Sequence, residues 1–136
     1  MRADLPARGL LDTSVFIAVE QHRELDYGAL PLEQFVSSIT RGELYAGVHA
    51  ARSSEVRAVR MATIESLTTL ITLDADAAAA AHWGQLRQAV GDAGRRANVN
   101  DLWIAAIALA HKLPVVTQDH DFDILVDLGG PPIIHV

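Results

Sequence analysis

Short apolar runs alternate with longer stretches of helical period along this chain. Leu10 and Leu11 form a short strand candidate ending on Asp12, after which Thr13 or Ser14 can cap a helix through Phe16, Ile17 and Val19. A loop containing Gly28 and Pro31 leads to a second strand over Gln34 to Ser38, followed by Thr40, Glu43 and the periodic set Leu44, Tyr45 and Val48. Ser53 to Leu67 predicts an amphipathic helix, with Val56, Val59, Ile64 and Leu67 on one face and Arg57 and Arg60 displaced from it. Leu70 to Leu73 reads as a third strand. Asp74 or Asp76 can then cap an alanine-rich helix carrying Trp83, Leu86 and Val90, which Gly91 and Gly94 are expected to break. Asn98 and Asn100 introduce the apolar helix Leu102 to Ala110, which passes through Pro114 into the strand Val115 to Thr117. Gln118 to Leu128 predicts a loop and a short helix, and Pro132 to Val136 a last edge strand.

Strands and helices alternating at these lengths predict an α/β fold: three layers, α/β/α, around a central and mainly parallel sheet. The 136 residues, half of them apolar, suffice for one well-buried core, so residues 1–136 read as a single domain. No internal repeat or linker interrupts them, and the alanines from Ala77 to Ala81 read as helix propensity.

Composition narrows the chemistry. With no cysteine, the chain has no thiolate metal site and no cysteine nucleophile. Met1 to Arg8 holds charges and a proline where a secretory signal needs a continuous apolar stretch, and the longest apolar run, Leu102 to Ala110, is about half the roughly 20 residues of a membrane span. A cytoplasmic location without membrane contact is the expectation. The net charge of -6 argues against holding nucleic acid by bulk electrostatics. That objection weakens if the acids are metal ligands, because bound divalent cations cancel their charge.

The positions of the acids therefore decide the reading. In an open parallel sheet, strand C-terminal ends and the following helix N-termini share the edge where ligands bind. Asp12 ends the first strand, Asp119 follows the fourth, Glu43 falls in the first turn of the second helix, and Asp101 opens the helix before the fourth strand. Each has an alternative use. Thr40 and Glu43 fit a capping box, Asp101 can complement a helix dipole, and Asp119 can form an Asx turn. Asp12 is harder to explain locally, since a carboxylate ending an apolar central strand is partly desolvated and has no basic neighbour nearby. Gathered on one edge, these acids repel one another unless a cation neutralises them. Oxygen-only ligands point to Mg²⁺ or Mn²⁺, whereas zinc favours histidine or cysteine. The six histidines show no compact ligand spacing along the chain, and only His120 lies near the acids.

Four segments now stand together: Leu-Leu-Asp-Thr-Ser-Val at 10–15, Arg-Gly-Glu-Leu at 41–44 with Gly47, Asn-Asp-Leu-Trp-Ile-Ala-Ala at 100–106, and Thr-Gln-Asp-His-Asp-Phe at 117–122. In this order, and over nearly the whole chain, they resemble VapC-type toxins of the PIN-domain ribonuclease family. The resemblance implies a metal-binding catalytic set at Asp12, Glu43, Asp101 and Asp119, with Asp121 as a fifth candidate that competes with Asp119 for the place nearer the metal. It implies an RNA substrate, a VapB-type antitoxin that covers the site, and a homodimer.

Thr13, Asn100 and Thr117 adjoin the acids and can orient ligands, or serve only as ordinary caps and strand ends. Arg95 and Arg96 are candidates for phosphate contacts, with a solvated loop pair as the alternative. The expected activity is metal-assisted, in-line hydrolysis of an RNA phosphodiester. A phospho-acceptor receiver fits poorly, since Thr117 and Gln118 stand where its lysine belongs, and a haloacid-dehalogenase-like phosphatase lacks its second aspartate at Ser14. A catalytically silent fold that only binds RNA or protein is the remaining alternative.

Overall fold

The structure is a computed structural model that describes residues 7–136, so most of the Met1 to Arg8 segment lies outside the described residues. Five strands, β1 (Arg8–Leu11), β2 (Glu33–Ser37), β3 (Ile71–Leu73), β4 (Val115–Thr117) and β5 (Ile133–His135), form one sheet in the order β3-β2-β1-β4-β5. Every pairing is parallel. Five helices accompany them: α1 (Thr13–Glu20), α2 (Ser38–Ala50), α3 (Ser54–Glu65), α4 (Ala77–Asp92) and α5 (Val99–Ala110). None is long and apolar enough to cross a membrane among the described residues.

The register explains how so short a sheet serves two cores. Leu10 pairs with Phe35 and Val115, and these three belong to the cluster under α4 and α5 that includes Leu86, Leu102, Ile107 and Phe122. Leu11 pairs with Val36 and Val116, and these belong to the opposite cluster with Val15, Phe16, Leu44, Val48, Ile64 and Leu67. Successive residues of a strand point to opposite faces, so unbroken apolar dipeptides supply one residue to each core. Fully burying each such side chain contributes about 1.5–3 kcal/mol.

Several boundaries differ from the pattern-based reading. The side chain of Asp12, rather than Thr13 or Ser14, caps α1, accepting from the Ser14 amide. Ser37 caps α2, which places Glu43 in its second turn rather than its first. The helix α4 continues through Gly91 to Asp92, and only Gly94, at φ 68°, takes the left-handed conformation that ends it. The predicted apolar face of α3 is half real: Ile64 and Leu67 are buried, whereas Val56 and Val59 are exposed. A 3-10 turn over Ser66–Thr69 carries Leu67, so the predicted helix to Leu67 is α3 plus this turn.

Gly9 is where β1 can least accept a side chain. A Cβ there meets Pro31 Cγ at 2.8 Å and Val116 Cγ2 at 2.9 Å. Gly9→Ala is therefore expected to lower stability by about 1–3 kcal/mol through overpacking, read as a reduced urea midpoint with unchanged slope.

Candidate metal centre

Because all strands run the same way, their C-terminal ends share one edge. The chain turns to opposite sides of the sheet from β1, at the centre, which is where open α/β sheets open a crevice. There, Asp12, Glu43, Asp101, Asp119 and Asp121 line a single pocket of about 330 Å³, together with Thr13, Ser14, Ile17, Arg23 and Asn98. All five acids named from the sequence come together.

Asp12 is the anchor. It is 3 % exposed, and its Oδ2 accepts from Ser14 Oγ at 2.7 Å and Thr117 Oγ1 at 2.8 Å. Those hydroxyls in turn accept backbone N–H groups: Gln118 donates to Ser14 Oγ and Asp119 to Thr117 Oγ1, each at 2.9 Å. A hydroxyl both donates and accepts, so the network fixes the start of the loop after β4 directly against the end of β1. Burial still pushes the Asp12 carboxyl above its ordinary value, with the Asp119 charge adding to it and the two hydroxyls opposing it.

The alternatives open to the other acids fare differently: Glu43 is no part of the α2 cap, while Asp101 stays in the first turn of α5. Thr40 N donates to Ser37 Oγ, so the α2 cap is complete without Glu43. Glu43 Oε1 instead accepts from Thr13 Oγ1 at 2.7 Å, and that hydroxyl lies 3.0 Å from Thr40 Oγ1. Asn98 caps α5, accepting the Asn100 and Asp101 amides, and Asp101 lies in the first turn, where its charge also complements the helix dipole. The Asp119 amide donates to Thr117 Oγ1. Of the polar residues that adjoin the acids in sequence, Thr13 donates to Glu43 and Thr117 to Asp12, while Asn98 lines the pocket in place of Asn100.

Crowding of like charge follows. The Asp101 carboxyl is pushed up to about 7, first by burial and then by Asp12, Asp121, Glu43 and Asp119 in that order. Asp121 thus bears on Asp101 more strongly than Asp119 does, while Asp119 is the acid that bears on Asp12. No three of the acids bring oxygens within 4.8 Å of one another among the described residues.

The arginines are distributed differently from expectation. Arg95 is engaged by Asp127, with guanidinium distances of 2.6 and 2.9 Å, and donates to the Ile124 carbonyl. Arg96 is exposed and lines no part of the pocket. The basic residue at the pocket is Arg23, just beyond α1, which no motif marked. A second surprise is that His120 and His135, fifteen positions apart, meet at Asp123.

Residues 9–127 match the PIN domain family. The chain belongs to that family. Among curated relatives, this PIN domain is 47% identical over 131 residues to "Ribonuclease VapC5" of Mycobacterium tuberculosis, covering 96% of this chain and 97% of that one. It is 32% identical over 119 residues to "tRNA(fMet)-specific endonuclease VapC" of Shigella flexneri, covering 81% and 85%. Among solved structures, it superposes with TM-score 0.89 and 45% identity on a crystal structure of VapBC-5, a member of the VapBC family of toxin-antitoxin systems from Mycobacterium tuberculosis, covering 96% and 100%. The resemblance read from the four sequence segments is thereby borne out.

Proposed function

We propose that this PIN domain is an endoribonuclease that cleaves RNA phosphodiesters with the help of Mg²⁺ or Mn²⁺, and is the toxin of a type II toxin-antitoxin pair. One observation carries the reading: five carboxylates share one pocket, and the caps of α2 and α5 are Ser37 and Asn98 rather than Glu43 or Asp101.

Asp12, Asp101, Glu43, Asp119 and Asp121 would hold the cation. When bound, it would neutralise charge on the phosphodiester and lower the pKa of a water nucleophile. The chain's own part is positioning. Ser14 and Thr117 hold Asp12 in one rotamer, Thr13 holds Glu43, and the Thr117 hydroxyl fixes the backbone at Asp119. Arg23 at the pocket is the residue placed to meet a phosphate that the acids alone would repel.

The antitoxin reading has its own support. An apolar groove of about 640 Å³, lined by Val15, Phe16, Val19, Tyr27, Val59 and Ala62 among others, runs along α1 and α3. A smaller cleft shares Glu20 with this groove and Ile17 and Glu43 with the acid pocket, so the three join along α1. A VapB-type segment laid in the groove would reach the acids, in keeping with relatives solved as VapBC assemblies. A homodimer and a cytoplasmic location complete the proposal.

The test is RNA incubated with the purified protein. Cleavage is expected with Mg²⁺ or Mn²⁺ and none in excess chelator, with recovery when the cation is returned. Cleavage that persists in chelator would refute metal dependence, while RNA binding without cleavage would favour the silent binding module.

A further inference from the structure

Outside the acid pocket, one cluster has ligand chemistry of a different kind. His120 Nδ1 lies 3.0 Å from Asp123 Oδ2, and His135 Nε2 lies 3.0 Å from Asp123 Oδ1. The two imidazole centroids are 4.7 Å apart with their planes tilted by 34°. One ligand atom from each of the three residues falls within 4.8 Å of the others, and no other trio of histidine and acidic side chains does so among the described residues.

We propose that His120, Asp123 and His135 form a second metal site, selective for Zn²⁺ and similar borderline ions rather than for Mg²⁺. The two 3.0 Å contacts reach opposite oxygens of Asp123. With one carboxylate oxygen as ligand, the three ligand atoms lie within 4.8 Å of one another. Side-chain rotation has to bring them to the roughly 3.4 Å separations of atoms about 2.1 Å from a tetrahedral zinc. Two imidazoles and one carboxylate match three-ligand zinc sites in which a water takes the fourth position. Imidazole nitrogen also separates this site from the oxygen-only pocket, because hard cations prefer carboxylate and water. The nitrogens facing Asp123 now serve as hydrogen-bond donors, and each ring can present a lone pair by moving its proton to the other nitrogen. All three side chains are open to solvent, at 81%, 45% and 41% exposure, so the ion can enter without rearrangement of the fold.

Placement gives the site a consequence. His135 ends β5 and pairs in register with Thr117 of β4, the residue that holds Asp12. His120 sits between Asp119 and Asp121, and Asp123 starts the 3-10 turn Asp123–Leu128. An ion here would tie the acid-bearing loop to the edge strand, one strand away from the carboxylate pocket. The site does not depend on the proposed ribonuclease reading.

Untagged protein titrated with Co²⁺ as a spectroscopic substitute for zinc tests it. One equivalent is expected to bind with the intense visible bands of a tetrahedral site, to be displaced by Zn²⁺, and to resist Mg²⁺. His135→Ala should weaken that binding by at least about 10-fold, since loss of even an outer partner of a metal ligand costs 10–100-fold. His120→Gln, with a separately placed ligand, should do the same if the first variant folds poorly. Asp101→Asn, in the carboxylate pocket, should leave the tetrahedral spectrum intact. Absence of a tetrahedral spectrum overturns the proposal, as does binding that survives both histidine variants or vanishes with Asp101→Asn.

Discussion

Asp12→Asn is expected to reduce cation-dependent RNA cleavage by at least about 10³-fold, the upper end of what removing one preorganised charge-stabilising group costs. The fold should survive. The Ser14 and Thr117 hydroxyls donate to a single oxygen of Asp12, and an asparagine can present its carbonyl oxygen at that position. Burial already disfavours the charged form of Asp12, so the neutral amide also removes a destabilising charge. Thermal unfolding of the variant should accordingly match or exceed that of the parent, while its cleavage falls to background. Thr117→Val offers the contrast: Asp12 keeps its charge but loses one of its two hydroxyl donors, so a smaller loss of roughly 10-fold is expected. Undiminished cleavage by Asp12→Asn, in preparations matched for contaminating nuclease, would remove Asp12 from the centre of the site.

Asp12 is legible in the sequence because of the kind of signal it gives. A carboxylate closing an apolar dipeptide is unusual wherever it occurs, and strand parity puts Leu10 and Leu11 into opposite cores, leaving Asp12 buried at the C-terminal edge of the sheet. Sheet topology then carried Glu43 and Asp119 to the same edge, whereas Asp101 joins them only because α5 starts there. Caps were harder to read, because Ser37, Thr40 and Glu43 lie close enough in sequence to cap in more than one way. Only the Thr13 hydroxyl, thirty positions from Glu43, settles which acid is free. The His120–Asp123–His135 cluster and the approach of Arg23 were invisible for the same reason. Each depends on where a loop ends up, and neither leaves a periodic trace. Arg95 shows the converse error: a basic loop residue near an acidic motif suggested phosphate, while its partner Asp127 lies thirty-two positions on.

Metal-free protein is expected to lose stability as pH rises from about 4 to about 7, and Mg²⁺ to restore it only toward the top of that range. The sign follows from Asp101. Its carboxyl titrates at the ordinary value of 3.8 when the chain is unfolded and at about 7 in the folded protein. Between those values the folded state binds more protons than the unfolded state, so the free energy of unfolding falls with increasing pH. The contribution is fully present below the unfolded value and gone above the folded one, and Asp12, raised in the same direction, adds to it. Asp123 and Asp127 are lowered instead by hydrogen bonds from His120 and Arg95, so what they contribute is lost in more acidic solution and does not cancel the trend. Because Asp101 is only partly buried, its share is about 1–2 kcal/mol after allowance for solvent screening, enough to lower the unfolding temperature by several degrees. A cation must displace the Asp101 proton to use that carboxylate, so its stabilising effect should be small at pH 5 and large at pH 8. Asp101→Asn should flatten the metal-free profile and remove most of the Mg²⁺ response together. A flat profile for the parent protein, or equal stabilisation by Mg²⁺ at both pH values, would show that the five carboxylates do not repel one another strongly enough to define a cation site.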